Sequence, residues 1–340
     1  MKARMKIFTV YLLVMVALVV QAQDPEFSQY YAAPLYLNPA FSGTSVDHRF
    51  NVNYRNQWPN ITNAFQTYAF SYDYNLDQYN SGLGFLVTVD EAGSANLKST
   101  QANFQYAYKV RLSDQWILSS GLNFGLGFRS LDYNKLVFYN ELDFLQRGGA
   151  PPDKKSDVDR VSYFDFGGGM LAYSRKFWLG FAVWHLNRPN RSLIDQEAQI
   201  PIKTTIHGGV RIPLYRGVFK RERTAAIAPS FVYKQQGNFD QLDIGTYFLY
   251  EPVVVGVWYR GIPLRQNVND NISHDAVVVI LGFQLEKVEI SYSYDLTVSD
   301  LGPISGGAHE LALKFKLDMA AQVKTRKREK FIPCPTFNRD

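Results

Sequence analysis

Five histidines, one cysteine and a basic run near the C-terminus are the side chains of this sequence with the most obvious chemical uses. Metal binding comes first. His48, His185, His207, His274 and His309 are scattered along the chain. None belongs to an HExxH pattern or a close His/Cys/Asp cluster, so no metal site is expected. His207, in TTIHGGV, falls on a polar face, and His309 opens the last apolar-polar alternation; both suit wall-lining side chains. Nucleophilic catalysis would need a local arrangement, and no Gly-x-Ser-x-Gly elbow occurs. A triad assembled across strands has no signature here to invite it. The glycine groups GLNFGLGF and FGGGM lack the strand-to-helix setting of a phosphate loop and read as small residues on a sheet wall. No catalytic residue, cofactor or enzymatic activity is expected.

The elements that must carry these residues begin with an export signal. Lys2, Arg4 and Lys6 precede an apolar run from Ile7 to Val20, and Ala22 offers a small residue for cleavage before Gln23. The run is short for a membrane helix, which needs roughly 20 residues. The whole chain carries +5; the signal holds three of those charges, and the tail from Gln322 holds a net +4, leaving the body about −2. A nucleic-acid protein would need a basic face in its folded body, and that is missing. One cysteine excludes an internal disulfide framework.

The body is rich in Tyr (22) and Phe (24), and no stretch after the signal is apolar enough for a membrane helix. Period-two alternation is the recurrent pattern. Ala102, Phe104, Tyr106, Tyr108 and Val110 share one face, opposite Gln101, Asn103, Gln105 and Lys109. Tyr68, Phe70, Tyr72 and Tyr74 form another such set, as do Val288, Ile290, Tyr292, Tyr294 and Leu296. Leu311, Leu313, Phe315 and Leu317 oppose Glu310, Ala312, Lys314 and Lys316. Strands are expected near 48–57, 65–74, 82–91, 98–111, 115–129, 162–175, 177–185, 202–214, 224–236, 239–251, 253–261, 275–285, 288–297 and 308–319. Brief connections alternate with long ones at 130–161, 186–201 and 262–274, and 215–223 is long for its side.

These features predict an all-β, transmembrane outer-membrane β-barrel of about fourteen antiparallel strands. Twelve is the alternative, reached if the poorly patterned pair 162–175 and 177–185 is not embedded. An even count, with short turns facing the periplasm, puts both termini in the periplasm. The expected organisation is a signal peptide over 1–22, a periplasmic plug or cap segment over 23–47, the barrel over 48–319 and a basic periplasmic tail over 320–340.

Binding chemistry is concentrated at the two ends. Pro25, Pro34 and Pro39 keep the N-terminal segment from forming a regular strand or helix. It nevertheless carries Phe27, Tyr30, Tyr31, Leu35, Tyr36, Leu37 and Phe41, with Asn38 and Pro39 between them. So apolar a segment is expected to plug the lumen, cap its base or dock on a partner. In the tail, Lys324, Arg326, Lys327, Arg328 and Lys330 precede FIPCPTF. One reading is a solvated charge run. The other is a docking peptide whose Phe331, Ile332 and Phe337 are apolar anchors, stiffened by Pro333 and Pro335 and steered to an acidic surface. Cys334, between the prolines, is open to a mixed disulfide with a partner.

Residues 23 to 44, QDPEFSQYYAAPLYLNPAFSGT, resemble the start of mature PorP/SprF proteins, outer-membrane components linked to the type IX secretion system of Bacteroidota. Phe27, Ser28, Gln29 and Tyr30 match the family's opening pattern, followed by Asn38, Pro39, Ala40 and Gly43. RFNVNYRNQWPNI is similar to the family's first strand and loop. SYDLTVSDLGPISGGAHELAL resembles its closing hairpin through Ser293, Tyr294, Asp295, Gly307, His309 and Glu310. The stretch 130–161 matches no family feature. The resemblance implies a non-enzymatic role in delivering secreted or gliding-related surface proteins. Its partners would be the type IX translocon or periplasmic ring components, secreted surface proteins and outer-membrane lipid, with no nucleic acid. A passive or ligand-gated porin is the competing function that barrel physics alone allows.

Overall fold

The computed structural model describes residues 23–45, 48–61, 65–93, 95–132, 158–193, 197–215, 225–266, 272–285, 287–298 and 302–317. Fifteen strand segments follow in chain order. They are β1 (His48–Gln57), β2 (Phe65–Leu76), β3 (Ser81–Ala92), β4 (Leu97–Arg111), β5 (Ile117–Asp132), β6 (Val158–Tyr173), β7 (Phe177–Trp184) and β8 (Lys203–Val210). Then come β9 (Ile212–Tyr215), β10 (Ala225–Gln236), β11 (Phe239–Tyr250), β12 (Val253–Gln266), β13 (Ile272–Gln284), β14 (Val288–Thr297) and β15 (Ala308–Leu317).

β8 and β9 both pair with β10 and together make one wall strand. Each wall strand pairs antiparallel with its neighbours, β10 pairs β11, and β1 pairs β15, so fourteen strands close into a barrel. Closure leaves neither the first nor the last strand as an open edge, a condition for a sheet to cross lipid. Among the described residues no helix is long and apolar enough to cross a membrane.

Alternation explains the wall. On β4, Phe104 is 49% and Tyr108 48% exposed, while Gln105 and Ala107 between them are buried. The same outward set recurs as Leu122, Phe124, Leu126 and Phe128 on β5 and as Leu311, Phe315 and Leu317 on β15. An apolar exterior of this kind faces lipid. The interior is divided. β1, β2, β14 and β15 turn mostly polar and charged side chains inward, whereas β6, β7 and β10 to β13 contribute Leu171, Tyr173, Trp178, Val232, Tyr247, Trp258, Val278 and Ile280.

The pair expected to be doubtful, β6 and β7, is part of the wall. β6 matches β5 over its full length and β7 over Gly168–Tyr173. Its pattern is faint because Gly167 and Gly169 occupy inward positions, where a side chain would collide with its surroundings. Strands also run further than alternation alone suggests: β5 and β6 extend into 130–161, and β12 and β13 shorten the 262–274 connection. His48 lies opposite Leu317, so the wall begins and ends at the same end of the barrel. That end also carries the brief turns after β2, β4, β6, β11 and β13.

Candidate functional site

The lumen is occupied by residues 23–45. Proline sets the local shape of this segment: Pro34 opens a one-turn helix, Pro34–Leu37, and Pro39 opens a 3-10 turn, Pro39–Phe41. Asn38 joins the two. Its side chain accepts from the Ala40 N–H at 2.9 Å, and its Nδ2 donates to the carbonyls of Met170 on β6 and Phe181 on β7, at 3.1 and 3.2 Å. Backbone acceptors inside a paired wall are reachable only where side chains are absent. A Cβ on Gly169 would lie 2.2 Å from Asn38 Oδ1, and one on Gly121 would lie 2.4 Å from the Ala40 nitrogen. The glycine groups are therefore the seat of the segment as well as part of the wall. Phe41 stacks on His207, ring centroids 5.3 Å apart, and His207 lines the lumen.

Apolar contacts fill one side. Phe27, Tyr30, Tyr31, Leu35, Asn38, Pro39 and Phe41 are buried and Tyr36 is half-buried. Tyr30 meets Trp258 and Tyr31 meets Tyr247, both edge to face. Each large side chain removed from water contributes about 1.5–3 kcal/mol. Lys203, Lys234 and Lys314 lie over the rings of Tyr36, Tyr30 and Tyr31 at 4.8, 4.8 and 5.0 Å.

Three polar stations hold the segment along its length. Near the start of β1, Arg49 pairs with Asp73 at 2.7 Å and donates to the Phe41 carbonyl. Asp73 also accepts the Gly43 N–H, and Lys109 reaches the Gly43 carbonyl at 2.6 Å. Gly43 has φ +65 and lies against Gly82, so glycine is needed there on two counts. Midway, the Ser28 hydroxyl donates to Asp295 and accepts from Arg55 and Arg260, while the Ser28 and Gln29 N–H groups donate to Glu310. The third station is Asp24. It meets His185 at 2.8 Å and Lys203 at 3.2 Å, and its N–H donates to Gln236. His185 also contacts Asp165 at 3.0 Å.

Burial alone would push the Asp24 carboxyl up, but His185 and Lys203 outweigh it and hold Asp24 well below the usual range. Glu26 is likewise brought down to about 2, because Lys234 and Arg260 override burial. Burial would lower His185; Asp24 and Asp165 instead raise it to about 9.

The segment thus runs the length of the lumen. Gly43 sits by the brief turns, whereas Asp24 sits where β7 ends, β8 begins and β10 ends. Gln23 is exposed at that mouth. The two ends of the wall meet at His48 and Leu317. Gln23 lies at the opposite mouth rather than on their side as expected, because the apolar segment doubles back through the lumen to bury itself.

Phe27, Tyr30, Tyr31, Leu35, Tyr36, Leu37, Asn38, Pro39 and Phe41, the residues expected in the plug or cap, all lie on this segment. Lys324, Arg326, Lys327, Arg328, Lys330, Phe331, Cys334 and Phe337 lie outside the described residues. Sequence reasoning missed Arg55, Arg260 and Asp24 with His185. The signal that could have found the arginines was charge at inward positions of alternating strands. Three histidines face outward beside tyrosine hydroxyls: His48 with Tyr72, His274 with Tyr259 and His309 with Tyr292. Among the described residues no group of three or more His, Cys, Asp or Glu side chains is placed to hold a metal ion.

Ser28 and Gln29, from the first matched motif, touch Ser293, Asp295 and Glu310, from the last one. A model of the type IX secretion system membrane protein family PorP/SprF matches residues 19–315, which include both. The chain belongs to the PorP/SprF family. No curated protein matches the sequence. Solved structures similar to this PorP/SprF chain include the Acinetobacter baumannii outer membrane protein Omp33, with 7% identity, TM-score 0.43 and coverage of 81% of this chain and 100% of that one. The P. putida toluene transporter TodX has 10% identity and TM-score 0.40, covering 82% of this chain and 90% of that one. BamA from Haemophilus ducreyi lacking POTRA domains 1-3 has 10% identity and TM-score 0.39, covering 79% and 70%.

Proposed function

We propose that this PorP/SprF barrel is a non-enzymatic outer-membrane coupling station of the type IX secretion system. It joins the translocon, or secreted surface proteins, on one side to periplasmic ring components on the other. The observation that supports this reading is the filled lumen: residues 23–45 pack against the inner wall along its whole length. A barrel whose interior is its own core acts through its two rims rather than through a pore. Outer-membrane barrels place their short turns in the periplasm, so the end where β15 finishes is assigned to that side and the mouth with Gln23 to the cell surface. Residues 23–45 then serve as a plug.

The basic tail is the periplasmic docking element of this reading. Lys324, Arg326, Lys327, Arg328 and Lys330 steer it toward an acidic surface, and Phe331, Phe337 and Cys334 are the contacts that follow. Truncation after Met319 is expected to leave a folded barrel in the outer membrane while removing a co-purifying periplasmic protein and surface display of cargo. Cargo reaching the surface at normal levels without the tail would overturn the docking role.

A further inference from the structure

The middle station of the lumen lies across the place where the wall closes on itself. β1 and β15 meet along ten pairs, from His48 opposite Leu317 to Gln57 opposite Ala308. Their inward faces are joined by Arg55 on β1, which reaches Glu310 on β15 at 3.4 Å and Asp295 on β14 at 2.8 Å. Arg260 on β12 reaches the same Asp295 at 3.0 Å and Asp243 on β11 at 3.3 Å. Two guanidinium groups and three carboxylates therefore share a space in which all five residues are buried.

Ser28 and Gln29 complete this cluster. Glu310 accepts the Ser28 N–H at 2.7 Å and the Gln29 N–H at 3.2 Å. The Ser28 hydroxyl accepts from Arg55 at 2.7 Å and Arg260 at 2.8 Å and donates to Asp295 at 2.7 Å. The Gln29 side chain donates to Ser293 and to the Glu310 carbonyl and accepts from Ser291. One dipeptide thus contacts β1, β12, β14 and β15. Without its side chains, Glu310 keeps the two N–H donors, but each arginine loses the Ser28 hydroxyl and Ser291 and Ser293 lose the Gln29 amide, beneath a segment that keeps the site buried. Buried charge stripped of partners is strongly destabilising.

We propose that the inner faces of β1, β12, β14 and β15 form a binding site for a Ser-Gln dipeptide at the head of a turn, that Ser28–Gln29 is its occupant, and that occupation is what closes the seam between the first and last strands. The segment is then a staple laid down as the barrel forms, and the seam is the first part of the wall to open without it. The staple is independent of what the rims of the barrel bind.

The test uses the full chain carrying Cys334→Ser, refolded in detergent, with Ser28→Ala and Gln29→Ala introduced together. Two disulfides are compared. Tyr54→Cys with Leu311→Cys joins β1 to β15 across the seam, where these residues lie opposite each other. Phe104→Cys with Phe124→Cys joins β4 to β5, far from it. The double alanine variant is expected to lose its compact, heat-modifiable band at a temperature lower by roughly 10 °C. The seam disulfide should restore most of that loss, and the remote disulfide little of it. Where the variant refolds poorly, the yield of compact band is read instead, and the seam disulfide alone should raise it. An unchanged temperature and yield, equal rescue by both disulfides, or rescue by neither would overturn the proposal.

Discussion

Gly169 shows how a missing side chain positions a functional one. Asn38 reaches the β6 and β7 carbonyls only through the space Gly169 leaves, where a Cβ would stand 2.2 Å from Asn38 Oδ1. Gly169→Val should therefore destabilise the barrel by about 1–3 kcal/mol, read as thermal unfolding in detergent. Gly168→Ala is the control, because its Cβ would meet nothing closer than 3.4 Å and little change is expected. The Asp24–His185 contact predicts a pH window. His185 is raised from 6.5 to about 9, so its contribution is complete below 6.5 and is lost as pH rises through 9. Asp24 is lowered from 3.8, so its contribution is complete above 3.8 and is lost as pH falls below it. Stability from this contact should thus peak between those two reference values. Unfolding temperatures measured across pH should fall on the alkaline side, and His185→Asn should remove that fall. The aromatic residues of the segment were legible as a set that had to be buried. Its anchors were not, since Arg55, Asp295 and Glu310 are distant in sequence and share a site only once β1 and β15 meet.

Among the elements, the wall strand formed by β8 and β9 is the one that breaks. β8 pairs with β10 as far as Gly209 opposite Ser230, and pairing resumes at Ile212 opposite Ile227. Between them on β10 lies Pro229, which has no N–H to donate, while on the other side the Arg211 N–H continues the β7 ladder to the Lys176 carbonyl. Pro229→Val should restore a donor and join the two segments. The expected result is slower hydrogen exchange across 208–213 and a gain on the order of 1 kcal/mol; unchanged exchange would show that the break has another origin. The other strands were legible because lipid outside and polar groups inside impose a period of two, as Phe104 and Gln105 illustrate. β6 was obscure for a physical reason. Of its inward glycines, Gly169 answers to Asn38 of the segment and Gly167 to Val183 and Trp184 of β7, and a pattern of absent side chains carries no alternation.

For the whole molecule, a lumen filled by its own N-terminal segment predicts electrical silence. The full chain in a planar bilayer should show no steady porin-like conductance at neutral pH. A stable open channel would favour the porin reading and exclude a permanent plug. By itself the sequence determined the lipid-facing and inward-facing sets, the approximate strand count and, through the motifs at 23–44 and 293–313, the family. Each of these rests on residues close together in the chain, where period-two chemistry or a short motif is visible. Only the tertiary structure decided that the N-terminal segment runs the whole lumen, that Gln23 emerges opposite the end of β15, and that Ser28 lies over the closing seam. Closure brings the two ends of a long chain together. Which buried charges then meet depends on barrel register and depth, and neither is written in any local stretch.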